Sequence, residues 1–323
     1  MLRRNLLALT LATGLPLAAL AQPGPYPDRQ VRLIVGFPAG TGPDVVARTV
    51  GLKLGELLRQ PVVVDNRAGA GGQIGAQAVA KGAPDGYTLL LGEVGSISIA
   101  PASYTKLAYD PARELAVVAE LVRSDFILVV PPNSPHRSVK ELVAGAQARG
   151  ERLNFGTFGA GTPGHFGAEV FASEAGLKIE PVHYRATGDA ITALVAGDVQ
   201  AAFVTTALAA PQIKGGKLRA LATTGATRSA LLPEVATMAE AGFPKVDFSA
   251  WFALFAPAGT PAATLDTLNQ AATASLQAPE VRRVLQEAGF ALAGGSRAEA
   301  ERMVRSEATR WAGVVKATGF KAD

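Results

Sequence analysis

Residues 36–44 read GFPAGTGPD and residues 157–165 read TFGAGTPGH. Aligned position by position, Phe37 falls on Phe158, Ala39 on Ala160, Gly40 on Gly161 and Thr41 on Thr162. Each stretch follows an apolar run of strand character and precedes a helical pattern. One chain thus carries the same glycine-rich strand-to-helix loop twice, and what surrounds each copy decides the fold.

Around the first copy, VRLIVGF (31–37) reads as a buried strand, and Val46, Val50, Leu54 and Leu57 recur at helical spacing. PVVVDN (61–66) and YTLLLGE (87–93) are further strands with a glycine-rich turn and a short helix between them. Strand alternating with helix predicts a parallel α/β sheet. The pattern restarts at about residue 126. FILVVPP, LNFGT (153–157), KIEPVHY (178–184), VQAAFVT (199–205) and LRALATT (218–224) read as strands, with helices over 138–147, 189–197 and after the second loop. AWFALFAPAGTP, reached at Ser249, reads as a strand and exit turn, and 261–277, 279–288 and 296–318 read as helices. The expectation is two lobes, 26–124 plus 248–323 and 125–247.

A glycine-rich loop that opens a helix is suited to binding an anion. The first N–H groups of a helix lack intrahelical partners and carry partial positive charge. Thr41 and Thr162 are candidate N-caps or hydroxyl donors. Pro43 and Pro163 sit where a missing N–H is harmless. Asp44 is expected to stabilise its helix start. The bland alternative is two ordinary strand-to-helix turns. Residues 159–164 also match GxGxxG, but the acidic residue that confirms a dinucleotide site is poorly placed, since Glu180 lies inside a strand pattern. Few cations flank either loop, Arg67 and Arg185 being the nearest, so a carboxylate fits better than a polyphosphate.

Composition excludes several classes. The chain has no cysteine, which removes disulfides and thiolate chemistry, and its three histidines (His136, His165, His183) form no metal-ligand spacing. No metal, no cofactor and no catalytic set is expected. His165 at a helix start could donate to an anion, against the plainer reading of a packed histidine. MLRRN followed by an apolar run and Ala19-Leu20-Ala21 has the plan of a secretory signal peptide, with cleavage expected after Ala21. Its loss removes Arg3 and Arg4 and leaves 29 basic against 27 acidic side chains, a net charge of +2. With no basic block, nucleic acid is not an expected partner.

FPAGTGPDVVAR (37–48), QPVVVDNRAGAGGQIGAQAVAKGAPDGYTLL (60–90), LPEVATMAEAGFP (232–244) and WFALFAPAGTP (251–261) resemble the solute receptors of tripartite tricarboxylate transporters, the Bug-type periplasmic binding proteins. The resemblance covers roughly 26–320. It implies an α/β, two-lobed type II periplasmic-binding-protein fold with a ligand cleft between the lobes. It further implies a periplasmic receptor that is not an enzyme, works as a monomer, and delivers a small mono- or dicarboxylate to membrane permease subunits. The ligand-binding positions it implies are Phe37, Ala39, Gly40 and Thr41 in the first loop, Ala70 in the glycine-rich turn, and Gly92 to Ser96 after the third strand. In the second lobe they are Thr157, Gly159, Gly161, Thr162 and His165, then Ala186, Thr187, Gly188, Asp189 and Thr205. The sequence departs from the family pattern around these positions. GTGPD stands where many relatives read GGGTD, YRATGDA (184–190) where YKGGAPA is usual, and Val204-Thr205-Thr206 where an Asp-Asn pair is frequent. The missing pair argues against a ligand ammonium. Glu93 stands where a small residue is common and is expected to point outward. The alternatives are a ligand-sensing adaptor for a membrane signalling protein, and an enzyme on the same scaffold.

Overall fold

A computed structural model describes residues 26–150, 152–184 and 187–322. The leader and its cleavage site, together with Arg185 and Ala186, lie outside the described residues. The first run of elements is β1 (Val31–Val35), α1 (Gly42–Leu58), β2 (Val62–Asn66), α2 (Gln73–Ala80), β3 (Thr88–Glu93), α3 (Ala100–Ser103) and α4 (Pro111–Glu114). Next come β4 (Leu115–Val130), α5 (Val139–Arg149), β5 (Leu153–Thr157), α6 (Pro163–Ala175), β6 (Ile179–His183) and α7 (Thr187–Ala196). β7 (Ala201–Thr205), α8 (Thr206–Lys214), β8 (Arg219–Thr223) and β9 (Ser249–Pro257) follow. The chain ends with α9 (Ala262–Gln277), α10 (Pro279–Glu287), β10 (Ala291–Leu292) and α11 (Arg297–Thr318).

α1 shows why these segments become what they are. Val46, Val50, Leu54 and Leu58 form one buried stripe, each worth about 1.5–3 kcal/mol when fully removed from water. Thr41 in extended conformation starts the helix, Pro43 lies in its first turn, and Arg59 in the left-handed conformation ends it.

The strands follow one path, β2-β1-β3-β9-β4-β7-β5-β6, with β8 and β10 also paired to β4. β1 runs parallel to β2 and β3, and β5 runs parallel to β6 and β7. β4 belongs to both groups. From Leu115 to Asp125 it pairs antiparallel with β9, and from Phe126 to Val130 it pairs antiparallel with β7 and β8. The sequence reading began this strand at Phe126; the structure begins it eleven residues earlier. Every residue of β9 is buried, so the two long antiparallel strands form the spine of the molecule. α11 bridges the halves. It packs against β4 and α3, while Trp311 lies 6.3 Å from Phe166 and 6.2 Å from Phe248 between ring centroids.

Candidate functional site

The two glycine-rich loops share backbone conformation at the Gly-Thr step and two of their internal bonds, although Gly159 takes φ 118° where the first loop has Pro38. Thr41 (φ −83°, ψ 166°) and Thr162 (φ −86°, ψ 162°) are both N-caps in extended conformation. Gly40 (φ 79°) and Gly161 (φ 74°) precede them in the left-handed region, where a side chain would be strained. The Thr41 hydroxyl donates to the Pro38 carbonyl at 2.7 Å, and the Thr162 hydroxyl donates to the Gly159 carbonyl at 2.8 Å. Each hydroxyl proton is therefore spent inside its own loop. Thr162 Oγ1 also accepts the His165 N–H at 3.4 Å, whereas Thr41 makes no such cap.

The residue four positions beyond each left-handed glycine receives that glycine's N–H. Gly40 donates to Asp44 Oδ2 at 2.9 Å, and Gly161 donates to His165 Nδ1 at 3.1 Å. Asp44 is 3% exposed and also accepts from Arg48 and Asn66, while Asn66 donates to the Phe37 carbonyl. Burial pushes the Asp44 carboxyl up, but the bonds from Arg48, Gly40 and Asn66 together hold it below its ordinary value. His165 is 4% exposed. Because Nδ1 accepts, the ring is neutral with its hydrogen on Nε2. Burial and the neighbouring His183 push its pKa down to about 4. The Phe320 ring covers it edge-on at 5.1 Å.

The loops after β1, β2 and β3 meet at glycines. A Cβ on Gly36 would stand 2.5 Å from the Gly72 Cα, so only glycine permits this approach. A Cβ on Gly72 would stand 3.3 Å from the Phe37 ring and 3.6 Å from the Ser96 Cβ. Ala70 takes φ 46° within a run, Gly69 to Gly72, whose four residues all have positive φ. Such strain in a non-glycine residue persists only where the surroundings enforce it.

Most of the sequence-derived positions follow the C-terminal ends of parallel strands, the edge at which α/β sheets bind ligands. Phe37 to Thr41 follow β1, Ala70 follows β2, and Ser96 follows β3. Thr157 to Thr162 end and follow β5, Gly188 and Asp189 follow β6, and Thr205 ends β7. The N–H groups of Ala39 and Ala160 and the Thr205 hydroxyl have no partner among the described residues. Two positions sit differently. Gly92 is buried, and a Cβ there would meet the Phe255 ring at 2.7 Å. Ser96 is buried, with its N–H, hydroxyl and carbonyl all bonded within the chain. Thr187 begins α7, and Ala186 lies outside the described residues.

Glu93 corrects the sequence reading. It points inward, is 8% exposed, and accepts the N–H groups of Gly95 and Ser96, each at 2.7 Å. Burial pushes its carboxyl up, and the two N–H bonds offset part of that.

Sequence reasoning also missed His183, whose Nδ1 lies 2.7 Å from Thr157 Oγ1. Thr157 is only 1% exposed, so this hydroxyl–imidazole pair is a poor nucleophile for an outside substrate. Among the described residues no group of three His, Cys, Asp or Glu could hold a metal ion. No described helix is long and apolar enough to cross a membrane. A hollow of about 630 Å³ lies elsewhere, beside Pro132, Arg137, Val139 and Glu234, and touches none of the candidate residues.

Comparison with known proteins places this geometry. A family model described as "Tripartite tricarboxylate transporter family receptor" matches residues 46–320. An R. palustris protein whose structure is described with adipate is 34% identical, with a TM-score of 0.83 over 92% of this chain and 99% of that one. MatC from Rhodopseudomonas palustris, described with bound malate, is 31% identical, with a TM-score of 0.78 over 90% and 100%. Periplasmic binding protein BugD is 28% identical, with a TM-score of 0.80 over 92% and 100%. The two-lobed α/β fold expected from the sequence is the fold these proteins share.

Proposed function

The chain belongs to the tripartite tricarboxylate transporter receptor family, and from that premise we propose that it is a periplasmic receptor for a small mono- or dicarboxylate. It would take the ligand in a cleft between its lobes and hand it to the membrane subunits of its transporter. The observation that carries this reading is the pair of matched loops, each presenting a helix start at the C-terminal edge of its own parallel strands. Relatives described with adipate and malate support the ligand class.

The lobes in this reading are 26–124 plus 248–323 and 125–247. The change of partners along β4, from β9 to β7 and β8 at Asp125–Phe126, supports that boundary. The ligand-facing groups are Phe37, Ala39, Gly40, Thr41 and Ala70 in lobe one, and Gly159, Gly161, Thr162, Gly188, Asp189 and Thr205 in lobe two. Thr41, Thr162 and His165 shape the loops, so that backbone N–H groups make the anion contacts. The leader at 1–21 is cleaved on export, and the receptor acts as a monomer without cofactor or metal.

Calorimetric titration of the exported chain with a panel of four- to six-carbon carboxylates tests the reading. Saturable one-to-one binding of at least one member is expected. Absence of binding across the panel, or turnover of any member, overturns it.

A further inference from the structure

Glu93 is a buried carboxylate beneath the first loop, beside the helix start at which a ligand carboxylate is to be held. It ends β3, at the same sheet edge as the first loop. The Phe37 ring and Ser96 both lie close to Gly72, and Glu93 accepts the N–H of that same Ser96 and of its neighbour Gly95. Both carboxylate oxygens are thus taken by the start of the helical turn Gly95–Ile99. No salt bridge reaches Glu93 among the described residues. Opposite it on β9 stands Phe252. The titratable neighbour is Tyr109, whose hydroxyl donates to the Ser96 carbonyl rather than to Glu93.

A buried carboxylate without a counter-cation is a costly arrangement. It has two effects on a ligand. The N–H pair at this turn is no longer available to an outside anion. A second ligand carboxylate directed toward this junction also meets a fixed like charge in a medium that screens it poorly.

Resting on the carboxylate-receptor reading, we propose that Glu93 is a specificity-determining residue, which restricts the ligand to one carboxylate and a neutral or hydrogen-bond-donating far end. Dicarboxylates of the same length are discriminated against. Where a dicarboxylate does bind, one of the crowded acids takes up a proton, because two carboxylates held close in a poorly screening medium do not both stay ionised.

The test is calorimetry of the full exported chain with two length-matched pairs, hexanoate with adipate and butyrate with succinate. Wild type and Glu93→Gln are compared near neutral and at mildly acidic pH. Wild type is expected to bind the monocarboxylate of a pair about tenfold or more tightly near neutral pH. Its dicarboxylate affinity is expected to rise toward acid with proton uptake, read from buffers of different ionisation enthalpy. Glu93→Gln is expected to bring the two members of a pair within about threefold and to abolish the uptake. Equal or tighter dicarboxylate binding by wild type without proton uptake overturns the role of Glu93 and leaves the receptor reading standing. An undiminished preference in Glu93→Gln does the same. Binding of neither member of either pair overturns both. Should Glu93→Gln fail to fold, proton uptake by the wild type decides alone.

Discussion

The backbone N–H of Gly161 donates to Nδ1 of His165 at 3.1 Å. The first loop makes the same bond, from Gly40 to Asp44. Two loops more than a hundred residues apart thus share one geometry but fasten it differently, one with a carboxylate and one with a neutral imidazole. The acceptor in the first loop stays an acceptor until strong acid. The acceptor in the second is lost when its ring is protonated.

That difference gives a pH dependence. Burial, then the charge of His183, depresses His165 from 6.5 to about 4 in the folded chain. A depressed folded pKa means that the unfolded state binds the proton first. Stability is therefore complete above about 6.5, and declines as pH falls toward about 4. The slope approaches about 1.4 kcal/mol per pH unit for one proton. Denaturant titrations across this range should show the decline in wild type and its loss in His165→Asn. A parallel decline in both would assign the effect to other groups.

Asp44 carries the corresponding load in loop one. Replacing it with Ala removes the acceptor of the Gly40 N–H, of Arg48 Nε and of one Asn66 amide bond, while Asn66 keeps its bonds to the Phe37 carbonyl and to Arg48. Loss of hydrogen bonds to a buried charge should lower stability by about 1.5–3 kcal/mol at neutral pH. Since its folded pKa is depressed, this stability is present above its ordinary value of 3.8 and lost as pH falls through the folded value. Wild-type unfolding of Asp44→Ala in urea would contradict the assignment.

The threonine hydroxyls act through loop shape. Each pins the carbonyl three residues back. Thr41→Ala and Thr162→Ala should each weaken binding of the receptor's carboxylate about tenfold, while loss of the hydroxyl-to-carbonyl bond lowers stability by about 1 kcal/mol. Thr→Ser at either site should retain near wild-type affinity, because it keeps the hydroxyl. Calorimetry reads this directly, and equal losses in the Ser and Ala variants would show that the methyl group matters instead.

The approach of Gly36 to Gly72 sets a steric limit. Gly36→Ala drives a methyl group to 2.5 Å from the Gly72 Cα. The backbone there must yield, at about 1–3 kcal/mol, and the junction of Phe37, Gly72 and Ser96 moves with it. Gly313→Ala on α11 is the control, because a Cβ there meets nothing within 4 Å. Thermal melts should separate the two by sign, with the helix-interior change neutral or stabilising.

Much of the fold was legible in the residues. Val46, Val50 and Leu54 announce α1 by their spacing, and the run 31–35 announces β1. The repeat of Phe, Ala, Gly and Thr at 37–41 and 158–162 announced two loops of one kind, which the matching torsions bear out. These signals are local. Side-chain period, proline at a helix start and glycine at positive φ act within a few residues of where they stand, so one chain suffices to read them.

What tertiary structure alone decided depends on distant partners. The sequence reading restarts the pattern at about residue 126 and places no strand over 115–125; β9, more than a hundred residues later, makes them strand by pairing along the segment from Leu115 to Asp125, with irregularities at Val118 and Leu121. Glu93 carries no local mark of burial and is drawn inward because Gly95 and Ser96 offer two N–H groups to its carboxylate. α8 holds Pro211 and lacks a strong amphipathic stripe, and it is helical where it packs on β4 and β7. In each case the backbone and charge preferences of the segment are weak, about a kcal/mol or less per residue. The hydrogen bonds and burial supplied by remote strands exceed them, and those partners exist only once the chain has folded.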